Sequence, residues 1–271
     1  MNTYLIAVDL DGTLLTDDKN ISLRNRMVLS KLQQLGHKIV IATGRPYRAS
    51  KMYYDELLLD TPLVNFNGAL IHHPKDAKSF PAEHTPLDQS TAKTIISTCE
   101  TFRVQNIMVE VMDEYYMRYQ NQGFADAFTL GQHPVNYGNL LELLSTDPTS
   151  LLIHPEEHNS QELVDLLDDA HAEVIEQRSW GAPWHVIEIV KAGLNKAVGL
   201  QKISDYYQIP RERIIAFGDE DNDLEMIEYA GCGIAMGNAI EELKGISDEI
   251  TVTNEEDGVA LFLEERFQLT K

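Results

Sequence analysis

Two short stretches of this sequence crowd carboxylates. Asp9-Leu10-Asp11-Gly12-Thr13 sets two acids two residues apart, and Gly218-Asp219-Glu220-Asp221-Asn222-Asp223 sets four within five positions. Such crowding is unfavourable without a cation. Hard oxygen ligands with no histidine or thiolate beside them favour Mg²⁺, which keeps several waters and accepts phosphate oxygens as further ligands. For a single stretch, the plainer reading is that such acids cap helices and solvate loops. Phosphoryl transfer needs a nucleophile, positive charge on the equatorial oxygens and a proton donor for the leaving oxygen. A carboxylate such as Asp9 can attack phosphorus and form an acyl phosphate, while Asp11 can protonate the departing alcohol and later deprotonate water.

These residues need elements that bring them together. Tyr4 to Leu10 is a short continuous apolar run, which predicts a buried parallel strand with the first acids at its carboxyl end. A helix follows from about Ser22 to Leu35, with Gly36 as its cap, then a second apolar run, His37 to Ala42, that stops at Thr43-Gly44-Arg45. A helix from Pro46 to Leu59 and a strand from Leu63 to Phe66, ending at Asn67-Gly68, continue the alternation of a parallel sheet with crossover helices. The same grammar returns downstream as a helix from Asn195 to Tyr207, a strand from Arg213 to Phe217 ending in Gly218-Asp219, a helix from Asp223 to Ala230 and a short strand from Gly233 to Met236. Ligands of open parallel sheets sit beyond the carboxyl ends of the strands, so the ends carrying Asp9, Asp11, Thr43 and Asp219 are expected to converge. The middle of the chain reads differently. Helices near 87–101 and 161–170 accompany strands near 107–112, 115–119, 151–154 and 186–190, several with no helix between them. That texture implies an antiparallel α+β unit inserted into the parallel one.

Bulk properties narrow the function classes. The 271 residues suffice for one large domain or two modest ones, and a hydrophobic content of 43% suits a packed core. A net charge of −21 repels polyanions and no basic cluster offsets it, so neither nucleic acid nor an anionic membrane is an expected partner. Cys99 and Cys232 lie far apart and outside any Cys-x-x-Cys spacing, which fits a reducing, cytoplasmic setting. The apolar Tyr4 to Val8 is too short for a signal peptide, and no stretch approaches the roughly 20 apolar residues of a membrane span.

The motifs together resemble the haloacid dehalogenase (HAD) superfamily, specifically its Cof-type phosphatases, over nearly the whole chain. Asp9 to Leu15 resembles the first motif, which implies Asp9 as nucleophile and metal ligand, Leu10 beside the substrate, and Asp11 as acid/base that ligates metal through its backbone carbonyl. Ala42-Thr43-Gly44-Arg45-Pro46 is similar to the second motif, in which the Thr43 hydroxyl and the Gly44 N–H bind the phosphoryl group. Lys196 matches the third-motif lysine, a charge that neutralises phosphate and nucleophile, although its flanks Leu194-Asn195 and Ala197 depart from the usual Val-Ser and Gly. The fourth motif is similar to Gly218 to Asp223, implying Asp219 as a metal ligand, Asn222 near phosphate and Asp223 as a supporting acid in the metal set. Glu220 stands where a small residue is usual and is expected to point outward. The resemblance implies an α/β fold with a Rossmann-like, HAD-like catalytic core at 1–81 and 191–271 and an inserted α+β cap domain at 82–190. It implies a Mg²⁺-dependent hydrolase of small phosphorylated metabolites working through an aspartyl phosphate.

Motif spacing agrees with that branch of the superfamily. About 33 residues separate Asp9 from Thr43, room for one crossover unit and no cap, whereas about 150 separate Thr43 from Lys196. A sugar phosphomutase using the same aspartyl phosphate and a non-catalytic phospho-acceptor module are the competing readings. Among substrates, sugar phosphates and cofactors such as FMN or pyridoxal phosphate all stay open, and nothing specifies an oligomeric state. Arg45 is expected on substrate phosphate in preference to an ion pair with the acidic cluster. Asn67-Gly68-Ala69 reads equally as a substrate-proximal turn and as an ordinary strand end. Trp180 and Trp184 are expected to pack a hairpin, the histidines to serve no second metal, and Tyr115, Tyr116 and Tyr119 to pack the inserted unit.

Overall fold

The computed structural model describes residues 2–121, 123–124, 136–156, 158, 160–171, 175–179 and 186–269. Trp180 and Trp184 lie outside them. The chain forms two compact units, one from Met1–Arg45, Ser50–Glu83 and Asn195–Lys271, the other from Pro46–Ala49 and His84–Leu194.

In the first unit five parallel strands lie in the spatial order Glu249–Ile250, Cys232–Ala235, Ile214–Gly218, Leu5–Val8, Lys38–Ile41. Leu5, Ile6, Ala7 and Val8 are all fully buried. Both faces of a parallel sheet are covered, which is why this strand reads as an unbroken apolar run. A single parallel bridge from Ala42 to Val64 joins Leu63–Asn65, which pairs along its length with the antiparallel Leu70–His72. Leu70–His72 and Glu249–Ile250 have no counterpart in the sequence reading, since elements of three and two residues carry no periodicity.

The chain steps outward from Leu5–Val8 to Lys38–Ile41 and later re-enters on the other side at Ile214–Gly218, so the strand order reverses beside Leu5–Val8. Val8 is in register with both Phe217 and Ile41. The three strands therefore leave the sheet at nearly one level, which puts Asp9, Asp219 and Thr43 around one crevice.

In the second unit a six-stranded sheet runs Ile175–Ser179, Ile187–Lys191, Ser150–His154, Asn106–Val111, Glu114–Met117, Asn136–Tyr137. Its pairings are antiparallel except the last. Helices Gln89–Thr101 and Ser160–His171 cover one face, where Ile95, Ile96, Leu163 and Leu167 meet Ile107, Val109, Leu151 and Ile153. Alternate residues Met108, Tyr115, Met117 and Leu152 form a second cluster with Phe124 and Val186. Tyr115 is thus buried packing, while Tyr119 is exposed. Among the described residues, no helix is long and apolar enough to cross a membrane.

Helix Lys196–Tyr207 lies against Leu63–Asn65 through Gly199, where a Cβ would come within 2.5 Å of Val64 Cγ2. Valine in a buried strand has little freedom to yield. Gly199→Ala is expected to lower stability by about 1–3 kcal/mol despite alanine's better helix propensity. A melting temperature at or above that of the unsubstituted protein would contradict this account of the packing.

Candidate active site

Asp9 follows the last residue of Leu5–Val8, and its N–H donates to Phe217 O at 3.2 Å, tying it to the neighbouring strand. The irregular turn Leu10–Leu14 then swings Leu10 and Leu14 into the core. Gly12 carries this turn with φ +74°, and a Cβ there would sit 2.0 Å from Asp219 Oδ2. Only glycine fits, because it takes the left-handed backbone without strain and leaves room for the opposing carboxylate. Thr13 Oγ1 donates to Asp219 Oδ1 at 2.8 Å, fixing that acid across the crevice.

Lys196 begins the helix Lys196–Tyr207, and the Asn195 side chain caps the helix by accepting from Val198 N at 3.0 Å. The departure from serine at 195 is thereby explained, since asparagine caps as well as serine does. The fully buried Lys196 ammonium donates to Asp9 Oδ1 and Asp223 Oδ1, each at 2.8 Å. Asp223 Oδ2 accepts from the N–H groups of Asp219 (3.0 Å) and Glu220 (3.3 Å), so it organises its own loop. Glu220 is exposed and caps the short turn Asp221–Asp223.

Thr43 is buried, and its hydroxyl accepts from Arg45 N at 3.2 Å. Gly44 lies beside Asn67 and Asn222, and Asn222 Nδ2 donates to Asn67 Oδ1 at 3.1 Å. Leu10, Thr43, Gly44, Lys196 and Asn222 are thus all in the crevice unit with Asp9, Asp219 and Asp223. Arg45 departs from the expectation. Its guanidinium forks onto Asp11, with Nε to Oδ2 at 2.6 Å and Nη2 to Oδ1 at 2.7 Å, because a carboxylate 34 positions earlier matches its planar donors. Two residues passed over in the sequence complete this group. Lys19 Nζ donates to Asp11 Oδ1 at 2.8 Å, and Tyr53 places its ring under Arg45 and its hydroxyl on Lys19 O. A single lysine among the acids of Asp17-Asp18-Lys19 was the available signal.

The sequence profile of the haloacid dehalogenase-like hydrolases matches residues 6–263. The chain belongs to this family, among its Cof-type phosphatases. It is 55% identical over 266 residues, 98% of each chain, to 5-amino-6-(5-phospho-D-ribitylamino)uracil phosphatase YitU of Bacillus subtilis. It is 32% identical to the phosphatase of the same description, YwtE, from that organism, over 96% of each chain. A haloacid dehalogenase-like hydrolase from Bacteroides thetaiotaomicron superposes with a TM-score of 0.85 at 28% identity, covering 98% of this chain and 100% of the other. This HAD protein is therefore a phosphoric monoester hydrolase.

Membership of the HAD superfamily implies a divalent metal, and the residues present fit one. Asp9, Asp219 and Asp223 are buried and bring carboxylate oxygens within 4.8 Å of one another, a hard donor set with one ammonium to balance it. Burial pushes the Asp9 carboxyl up to about 7, with Lys196 opposing and Asp223 and Asp11 adding to the rise. Burial, then repulsion from Asp9 and Asp223, pushes Asp219 up to about 8. For Lys196 burial works against the charge, but Asp223 and Asp9 outweigh it and raise its pKa. Burial would also raise Asp11, yet the Arg45 fork and then Lys19 hold it down at about 2.

Asp9 and Asp219 keep protons in the folded protein that they lose in the unfolded chain. Their contribution to stability is complete below the unfolded carboxylate pKa and is lost as pH rises through about 7 and 8. The metal-free protein is therefore expected to melt at lower temperature at pH 8.5 than at pH 6, with Asp219→Asn flattening the slope. Mg²⁺, which competes with those protons, should raise the melting temperature more at the higher pH. Equal Mg²⁺ shifts at both pH values would contradict the shared acidic site.

Proposed function

We propose that this HAD protein is a Mg²⁺-dependent phosphatase that acts on 5-amino-6-(5-phospho-D-ribitylamino)uracil through an aspartyl phosphate on Asp9. The observation that carries the chemistry is the state of Asp9: Lys196 fixes Oδ1, while Oδ2 has no hydrogen-bond partner among the described residues. Support for the substrate comes from the 55% identity, over 98% of each chain, to the B. subtilis phosphatase of that compound. A reducing, cytoplasmic setting belongs to the same proposal and fits Cys99 and Cys232, both free thiols.

Asp9 Oδ2 attacks phosphorus as the bond to the ribityl oxygen breaks, and Asp11 delivers a proton to that oxygen. Thr43, the Gly44 N–H, Asn222 and Lys196 hold the phosphoryl oxygens. Water then attacks the phosphorus of the acyl phosphate, Asp11 takes its proton, and the bond to Asp9 breaks to release phosphate. Asp9, the Asp11 carbonyl and Asp219 would hold Mg²⁺, which would supply positive charge to offset that gathered on the phosphoryl group. The inserted unit selects the leaving alcohol, as in the Cof-type phosphatases this chain resembles.

Asp9→Asn is expected to reduce phosphate release from the ribitylaminouracil phosphate by about a thousandfold or more while the protein stays folded. Release should require Mg²⁺ and yield free phosphate, not an isomeric phosphate ester. Near-unchanged turnover in Asp9→Asn would sink the mechanism, and a stronger preference for glucose 6-phosphate or pyridoxal phosphate would sink the substrate assignment.

A further inference from the structure

The turn Phe66–Gly68 has an unusual backbone. Phe66, Asn67 and Gly68 have φ of +50°, +51° and +103° in succession. The left-handed region is costly for a non-glycine residue, least so for asparagine, and is kept where surrounding structure fixes the conformation. Here the surroundings are the site itself. Asn67 N–H donates to Thr43 O at 3.2 Å, and Phe66 N–H to Arg45 O at 3.3 Å. Asn65 Nδ2 donates to Arg45 O at 2.8 Å. Gly68 lies so close to the Asn195 carbonyl that a Cβ would come within 2.5 Å of it, one residue before Lys196. One turn therefore touches the segments that carry Thr43, Arg45, Lys196 and Asn222.

The side chain of Asn67 adds a directional element. An amide NH₂ offers two donors and its carbonyl only accepts, so an amide facing phosphate must present nitrogen. Left to itself, Asn222 can turn either end toward the crevice. Asn67 Oδ1 accepts from Asn222 Nδ2 at 3.1 Å, and the opposite rotamer would set two oxygens against each other. With one N–H spent on Asn67, the second is aimed away from it. Asn67 Nδ2 and Oδ1 lie 3.2 and 3.3 Å from the position of a Cβ on Gly44, and Asn222 Nδ2 lies 3.6 Å from it, so both amides border the phosphoryl-binding loop.

We propose that Asn67 is a positioning residue for phosphate recognition: its side-chain oxygen locks the Asn222 amide with an N–H, not the carbonyl, toward the phosphoryl group. This rests on the phosphatase reading above. It assigns the Asn67-Gly68 turn a task at phosphate and not at the leaving group.

The test compares Asn67→Gly, Asn222→Ala and the double variant in the full-length Mg²⁺-loaded enzyme. Glycine keeps the left-handed backbone, so Asn67→Gly removes only the amide. Inorganic phosphate serves as competitive probe beside substrate kinetics. Each single variant should raise KM and the phosphate Ki about tenfold with a smaller change in kcat, as expected for a lost hydrogen bond to a charged group. The double variant should be no worse than either single one. A double variant weakened by the product of the two effects, or an Asn67→Gly enzyme with unchanged Ki, would overturn the proposal. If Asn67→Gly proves too unstable to assay, Asn67→Asp keeps both the backbone preference and the acceptor. In that background Asn222→Ala should cost as much as in the wild type, and a clearly smaller cost would overturn the proposal. Wild-type enzyme that releases no phosphate strikes the phosphatase reading and this inference with it, whereas wild-type turnover with unaltered variants strikes this inference alone.

Discussion

Lys196 has no exposed surface, and its ammonium sits between two buried carboxylates, Asp9 and Asp223. An ion so placed is tolerable only with its partners in position, because an unpaired buried charge costs several kcal/mol. The pairing therefore constrains three segments at once: the end of Leu5–Val8, the start of Lys196–Tyr207, and the loop after Ile214–Gly218. It also leaves an imbalance. Three acids share one cation, and the elevated pKa values of Asp9 and Asp219 express the remaining negative charge. The same surplus that burdens the metal-free fold is what suits the crevice to a divalent ion.

Parallel-sheet geometry makes this arrangement possible without a long loop. The reversal of strand order beside Leu5–Val8 opens a crevice, and the common register of Val8, Phe217 and Ile41 brings three strand ends to it. What remains is fine adjustment by small residues. Gly12 lets Asp219 approach, and Thr13 and Asn195 convert loose chain ends into fixed donors and caps.

The parallel strands were legible because burial on both faces makes them continuous apolar runs, and the acids were legible because their clustering at strand ends has few structural uses. Lys196 could be placed only through its motif, since nothing in Leu194-Asn195-Lys196-Ala197 announces a lysine with zero exposure. The partners of Asp11 were only half legible: an ion pair of Arg45 with the acidic cluster was the less favoured of two readings, and Lys19 was passed over. Arg45 and Lys19 lie 34 and 8 positions from it, and their meeting depends on how the Thr16–Asn20 loop folds back, held by Tyr53 from the helix Tyr47–Glu56. Pairings between side chains on separate loops leave no periodic trace in a sequence.

That Asp11 group bears on the catalytic cycle. Both carboxylate oxygens are occupied, Oδ1 by Lys19 and Arg45 and Oδ2 by Arg45, and the carboxyl is held strongly anionic. An acid in that state can neither carry a proton nor point an O–H at a leaving group. The role proposed for Asp11 thus requires the fork to open during turnover. A phosphate ester supplies a competing anion that suits a guanidinium as well as a carboxylate does.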